Sequence, residues 1–506
     1  MPKEVLGTFP SENQSLFGLA PASPRLNPSR LWRDGRNVVF SATGVRKAKG
    51  VSLLLSAGGG ATTSEAKSGT NSAISGLTDA YINGRRVIAY GDASSWYRYV
   101  EDEVSAFRIG TNLSGLVDET SGTPASQWSI VNWGNWFVGT NGVARPQLYT
   151  GSSNVEATTG GVLSTDDAWA TASQNSRAEI IYRYQPHLLA FNTARGYNHF
   201  CWCHTDDIEQ WSANAGNTAG SITVRDMDSP MRAAAPLGDR IAVYTDNSLY
   251  IVTYLGSPFY FGIQPAVTGI GAVSKGAVTS LGRQNYGLSK DGFWTTDGVT
   301  YVYIDEPDLR SWFSARVNTR NYSKVVSWHD RENHQVVWYY STASNTENNE
   351  GVGYDYINQC WSIYDYGRAS AIERKVFRFP LSGSTAGRVF RQNDTQNSAG
   401  AGVTSFLETN PLPIGDARYF KDLFRLYVAA DEVSVDFEVQ VSGIPNLNTS
   451  PSYGSRNIVS AGNAFLPLNI KESGRFASLR FEATAAGSDF LLSGFIVEGV
   501  KTEAER

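Results

Sequence analysis

The chain has 506 residues, a formal net charge of −5 and 18% charged residues, a balance that excludes the concentrated basic surface of an ordinary DNA-binding domain. Apolar residues at 41% suffice for packed interiors and exclude wholesale disorder. Three cysteines in this length exclude a disulfide framework, and Gly (49), Trp (13) and Tyr (25) predict short aromatic strands and many turns rather than long helices.

The chain opens on MPKEVLGTFPSENQ, without the basic segment and apolar run of a secretory signal. No stretch reaches the roughly 20 apolar residues of a bilayer span, so the expectation is synthesis in a cytosol with no membrane-spanning segment. A Pro-rich lead, PASPRLNPSRLW (21–32), is cheap to order and suits strapping onto a neighbour. It runs into WRDGRNVVFSATGVRKAKGVSLLL (32–55), a hairpin with its turn at Ala42–Gly44. Residues 1–55 are read as the N-terminal part of a platform. The small and polar stretch AGGGATTSEAKSGTNSA, within 56–75, has the composition of a flexible linker or exposed loop.

From there a unit repeats. NGRRVIAY (83–90), WGNWFVGT (133–140), YQPHLLAF (184–191), LGDRIAVY (237–244), LGRQNYGL (281–288) and RENHQVVW (331–338) share one form, turn residues and then an apolar strand. Their starts are 50, 51, 53, 44 and 50 residues apart. Tyr286–Ile304 shows the pattern, with strands broken at Asp291-Gly292 and Asp297-Gly298. A weaker seventh unit combines ERKVFRFP (373–380) with GRVFRQN (387–393). Units of about 45–50 residues are the size of a four-stranded propeller blade, and blades bury each other's faces where a lone small sheet cannot. The predicted fold is all-β, a β-propeller of six or seven blades over 76–400; the alternative is an irregular β-sandwich array. A β-sandwich-like C-terminal platform domain follows over 401–506. There Val433, Val435, Phe437, Val439 and Val441 alternate with polar neighbours, and residues 475–500 read as a hairpin turning near Gly487-Ser488.

Groups able to do chemistry are few. His199, Cys201, Cys203 and His204 in HFCWCHTDD suggest zinc. In a strand, however, His199, Cys201 and Cys203 point to one face and Phe200, Trp202 and His204 to the other. Cys360 stands alone and His329 and His334 flank a turn in another unit, so a core strand with reduced, buried cysteines is the expected reading. Asp206 with Asp207, and Asp305 with Glu306, are candidate acid pairs for glycoside hydrolysis. Adjacent residues diverge, so these read as solvated loop acids. Ser289–Trp294 (SKDGFW) faintly resembles the Asp-box turn of sialidase-type propellers, but it is shorter and occurs once. No nucleophile elbow, phosphate loop or HExxH occurs. The reading is not an enzyme, with no catalytic, cofactor-binding or metal residues and no cofactor. Basic clusters are short: Arg46-Lys47-Ala48-Lys49 and Arg374-Lys375.

Several quoted stretches, in order, resemble the tail nozzle and packaged-DNA-stabilisation proteins of short-tailed bacteriophages. They are WRDGRNVVFSATGVRKAKG, FCWCHTDDIEQWSANAGNTAGS (200–221), LGDRIAVYTDNSLYIVTYLGSPFYF (237–261), GLSKDGFWTTDG (287–298), VGYDYINQCWSIYD (352–365) and GRFASLRFEATAAGSDFLLSGFIVEGV (474–500). The similarity is at the level of pattern and spreads over most of the chain. It implies a structural protein of the virion tail, made in the host bacterial cytoplasm. Its partners would be further copies of itself in a ring, six in these tails, an adaptor below the portal, and tail fibres or spikes. Packaged double-stranded DNA would pass through the lumen without sequence-specific binding. The alternative is a receptor- or glycan-binding propeller of a fibre or spike. The stretch 58–73, the TASNTENNEG loop (342–351) and ASSWYRYVEDE (93–103), read as a loop, are candidates for a lumen constriction or fibre dock.

Overall fold

In the computed structural model the described residues are 4–10, 15–19, 30–41, 44–58, 66–93, 95–101, 103, 106–109, 127–143, 146–150, 160–162, 177–431, 433–460 and 465–502. Each apolar run of the repeat becomes the second strand of a small antiparallel sheet. The six runs lie in Arg85–Gly91, Trp136–Thr140, His187–Thr193, Arg240–Tyr244, Asn285–Leu288 and Gln335–Tyr340. Six four-stranded sheets result, spanning 76–109, 129–162, 178–223, 233–268, 278–303 and 326–364, with strands paired in sequence order. The stretch 286–304 therefore supplies the second, third and outer strands of the fifth blade, not its inner and middle strands.

The seventh blade has a different origin. Ser370–Ile372, Leu381–Gly383 and Val389–Gln392 pair in order, and the fourth strand is Val51–Leu55, antiparallel to Val389–Gln392. Two short strands, Asn397–Ser398 and Ala401–Gly402, extend this sheet. So Val51–Leu55, expected in the platform, leaves it to complete the propeller, and Ala401–Gly402, expected in the C-terminal platform, also joins the seventh blade. ERKVFRFP is not a strand but a succession of bends between the blade's first two strands.

The first strands of the seven blades touch one another in cyclic order, from the first round to the seventh and back. Seven blades therefore close one ring, a seven-bladed β-propeller. The buried apolar clusters lie between blades: one joins the first and second, others the second and third, third and fourth, and fourth and fifth. Further clusters join the sixth and seventh, and the seventh and first. This is the burial that a single small sheet lacks and radial repetition provides. Turns between first and second strands (inner turns) and between third and outer strands (outer turns) share one face, because antiparallel strands reverse direction at each turn. Asn83-Gly84, with φ of 50° and 77°, is the left-handed pair that a two-residue hairpin of this twist needs.

The platform is a sandwich of two six-stranded sheets that mix both chain ends. In one, Glu4–Phe9, Val38–Ser41 and Gly44–Lys47 join Lys421–Asp431, Leu468–Gly474 and Leu491–Lys501. In the other, Ser15–Leu19 and Arg30–Arg36 join Ser405–Thr409, Phe437–Ile444, Arg456–Val459 and Phe476–Ala483. The predicted hairpin over 475–500 is overturned: Phe476–Ala483 and Leu491–Lys501 lie in different sheets, and the chain arches between them at Gly487-Ser488. Each strand turns its apolar alternation inward, so the two meet face to face, with the Phe481 and Phe495 rings 5.7 Å apart. The alternating strand begins at Phe437, leaving Val433 and Val435 before it. One apolar cluster runs from the fifth and sixth blades through the helix Pro307–Arg316 into the sandwich.

The stretch read as a flexible linker is tied down wherever it is described. Ser56 accepts from Ser68 and donates to Ala66 across its backbone, and the Ser68 hydroxyl donates to the Gly387 carbonyl at 2.5 Å. Residues 59–65 of that linker, the Pro-rich lead over 21–29 and the Ala42-Thr43 turn fall outside the described residues.

Candidate functional site

The first strands surround a cavity of about 220 Å³ on the propeller axis, with residues from all seven blades in its wall. At one end the side chain of Gln127, ahead of the second blade, reaches across. Its Nε2 donates to the Val325 carbonyl at 2.7 Å, and its Oε1 accepts from the Gly276 amide at 2.9 Å. Lys275 Nζ donates to the Gln127 carbonyl at 2.7 Å and lies 2.9 Å from Glu179 Oε2. Burial pulls the Lys275 ammonium below the usual lysine range, Glu179 opposes this, and Arg177 adds to it. Residues from four segments far apart in sequence, each at the entry to a blade, thus tie four blades around the axis. The arrangement braces the ring at its axis, with Lys275 fixed between the Gln127 carbonyl and Glu179.

The residues singled out in the sequence are dispersed. Cys201 and Cys203 are buried in one interblade cluster, whereas Phe200 and Trp202 lie in the neighbouring one, as strand alternation requires. Burial pushes both thiols up to about 12. His199 is buried with Nδ1 at 2.6 Å from Thr193 Oγ1, and burial, reinforced by Arg195, pushes it down to about 4. His204 Nδ1 accepts from the Thr218 amide at 3.0 Å. Among the described residues no group of three or more His, Cys, Asp or Glu is placed to hold a metal ion.

Neither acid pair forms a facing dyad. Asp206 is exposed at a turn with φ 57°, and Asp207 Oδ1 accepts from the Glu209 amide at 2.9 Å. Asp305 is buried and held from two sides by Arg310, at 3.0 and 2.7 Å, while Glu306 begins the helix Pro307–Arg316. Ser289–Trp294 is a tight turn in which Ser289 Oγ donates to the Gly292 carbonyl at 3.1 Å. His329 lies 3.1 Å from both Glu373 and the Tyr356 hydroxyl.

The basic run at 46–49 faces protein, not solvent polymer. Arg46 donates to Asn333 Oδ1 at 2.6 Å, buried Lys47 donates to Ser488 Oγ at 2.7 Å, and Lys49 pairs with Glu332. Arg374 and Lys375 are exposed at the inner turn of the seventh blade. Of the candidate loops, 93–103 holds a strand, Trp96–Val100, the third of the first blade. The 342–351 loop is internally bonded, Asn349 Oδ1 accepting from the Thr342 amide at 2.9 Å, and runs into the strand Glu350–Asp355. Sequence reasoning missed Gln127, Glu179 and Lys275; their one shared signal is the position just before or at the start of a first strand.

No family model matches the chain, and no curated protein matches it. Among solved structures, one similar chain is PorZ, described as an essential bacterial surface component of the type-IX secretion system of Porphyromonas gingivalis. That likeness has a TM-score of 0.36 and 10% sequence identity, and covers 74% of this chain and 45% of that one. The chain therefore spans less than half the length of that protein.

Proposed function

We propose that the protein is a structural component of a short-tailed bacteriophage tail, a nozzle subunit whose copies form a ring below the portal and adaptor. In this reading the ring encloses and closes the exit channel for packaged double-stranded DNA and carries fibres or spikes. The observation that carries the proposal is mechanical. Both ends of the chain interleave in one sandwich, and the segment between them and the first blade closes the seventh blade. The sandwich packs on the outer strand of the sixth blade, Cys360–Tyr364, and shares its apolar core. Two modules joined at both ends by strand pairing and a common core make a stiff block, as a ring under the pressure of packaged DNA requires. In this reading the DNA path is the space enclosed by several copies, not the propeller axis, where Gln127 and Lys275 bridge the blades. The negative net charge reduces sticking of the passing polymer. The resemblance of the ordered sequence stretches to phage nozzle proteins supports the same reading.

Electron microscopy of virions with a tag inserted at Ser344, exposed in the turn between the second and third strands of the sixth blade, tests the proposal. Density on an axial ring at the distal end of the tail is the expected result. Density on peripheral, separable appendages overturns it in favour of a receptor- or glycan-binding propeller, a reading that exposed Tyr81 and Trp136 at the inner turns would then serve.

A further inference from the structure

The charges on the inner-turn face of the propeller differ in net sign between centre and rim, although Asp239, Glu332 and Glu373 also lie at inner turns, in the fourth, sixth and seventh blades. Six of the seven inner turns carry or adjoin an arginine: Arg85, Arg183, Arg240, Arg283, Arg331 and Arg374 in the first and the third to seventh blades. Lys375 and Arg378 add to the seventh, and all of these except half-buried Arg240 are exposed. The second blade, which lacks a cation there, presents exposed Trp136, next to exposed Tyr81 of the first. The outer turns of the same face carry acids instead: Glu101 and Glu103 in the first blade, Asp206, Asp207 and Glu209 in the third, Asp297 in the fifth.

Some of these charges cancel within the protein. Arg85 pairs with Glu103 at 3.4 Å and Arg331 with Glu373 at 3.1 Å. The others do not: Arg183, Arg240, Arg283, Arg374 and Lys375 form no ion pair among the described residues. Arg183 is positioned by the Asn132 carbonyl and by Gln185 Oε1, at 3.2 and 2.6 Å. In a chain of net charge −5, this surplus of cations at the inner turns of the third, fifth and seventh blades, with Asp239 adjoining Arg240 in the fourth, is a local reversal of sign. Like charges held in a ring repel, and that repulsion is relieved when an anionic partner sits among them.

From this geometry we propose that the inner-turn face is a docking site for an acidic polypeptide segment, a loop or terminus rich in Asp and Glu from a partner protein, seated over the propeller axis. Guanidinium groups match carboxylates with paired hydrogen bonds, and Tyr81 with Trp136 gives an apolar side of the ring a contact for the segment's non-acidic residues. The acidic outer turns decide between anionic partners. A nucleic acid duplex lying across the face would meet the acids of the third and fifth outer turns, whereas a narrow peptide reaching only the centre meets the surplus of inner-turn cations. The rim also directs an acidic segment inward, since like charges across an interface disfavour the wrong position. The inference does not depend on the tail reading; it requires the propeller and its charge pattern.

The test uses the full-length protein and a fluorescent oligo-glutamate peptide, with binding read by anisotropy at low salt. Competitors are single-stranded and duplex DNA oligonucleotides of equal charge. The triple variant Arg240→Gln, Arg283→Gln, Arg374→Gln should bind the peptide about tenfold more weakly, the sum of three partly screened charge pairs. The double variant Arg225→Gln, Arg320→Gln, exposed cations of the opposite-face connections, should bind as the unaltered protein does. A photo-crosslinking residue in the peptide should label inner-turn segments of the unaltered protein, which keeps the test valid if the triple variant folds poorly. Equal losses in both variants, crosslinks away from the inner turns, or tighter binding of either DNA overturns the proposal.

Discussion

The indole of Trp294 lies across Gly287 on the adjoining strand, so close that a Cβ built at Gly287 would stand 2.3 Å from the ring. Trp202 covers Gly220 in the third blade in the same way, at 2.4 Å. The Trp294 indole is fixed at its other end, Nε1 donating to the Gly271 carbonyl at 2.9 Å. Glycine is required here by the space the ring needs, not by backbone freedom. Gly287→Ala should therefore destabilise the protein by about 1–3 kcal/mol, the usual cost of overpacking. Urea unfolding measures it, and an unchanged midpoint would show that the indole moves aside freely.

Closure of the propeller by Val51–Leu55 predicts a contrast within one strand. Leu55 is fully buried among Leu381, Val389, Tyr90 and Tyr97, between the seventh and first blades, whereas Leu54 is only half-buried beside them. Leu55→Ala should cost about 2–5 kcal/mol. Leu54→Ala should cost clearly less, because its side chain gives up less buried surface. Protease digestion should then cut the Leu55 variant first near the seventh blade. Equal stability of the two variants is the result that removes the closing role.

His199 makes stability depend on acid. Its pKa of about 4 in the folded chain lies below the ordinary histidine value near 6.5. Between those values the unfolded chain binds more protons, so stability falls as pH drops through this window. The loss attributable to His199 is at most about 3 kcal/mol. Buried His187, also pushed down by its surroundings, acts in the same direction. His199→Gln should flatten the dependence of the urea midpoint on pH between neutrality and about 4.5. An equally steep dependence in the variant would assign the acid sensitivity elsewhere.

The three cysteines are buried, and Cys201 and Cys203 are held up to about 12. Thiolate is the reactive form. In native conditions at neutral pH a thiol reagent should therefore titrate none of them within minutes, and all three at once in denaturant. Rapid native labelling of Cys201 would mean that the interblade cluster around it opens.

Much of the architecture was legible in the chain alone, for local reasons. Turn residues followed by an apolar run recur because each blade needs a tight inner turn and a buried second strand. Both features are written within about ten residues. All six runs accordingly fall on second strands, and the alternation through Val439 and Val441 correctly marks a half-buried strand. Cys201 and Cys203 lie to one side and Phe200 and Trp202 to the other, as alternation assigns them.

What the tertiary structure decided are the relationships between distant segments, which no local pattern encodes. Val51–Leu55 reads equally well as a platform strand or a blade strand; only its pairing with Val389–Gln392 settles that it closes the seventh blade. Phe476–Ala483 and Leu491–Lys501 look like a hairpin in sequence because strand, turn, strand is common to a hairpin and to an arch between sheets. Burial of both apolar faces against each other selects the arch. Gln127, Glu179 and Lys275 carry no signal separately, and the ring closure alone brings them together on the axis. The arginines of the inner turns are likewise scattered through the chain and form a ring only because the blades return each turn to the same face. Composition and periodicity determine the kind of element and its buried side, since these depend on neighbours in sequence; partners across the fold depend on chain closure, which is a property of the whole.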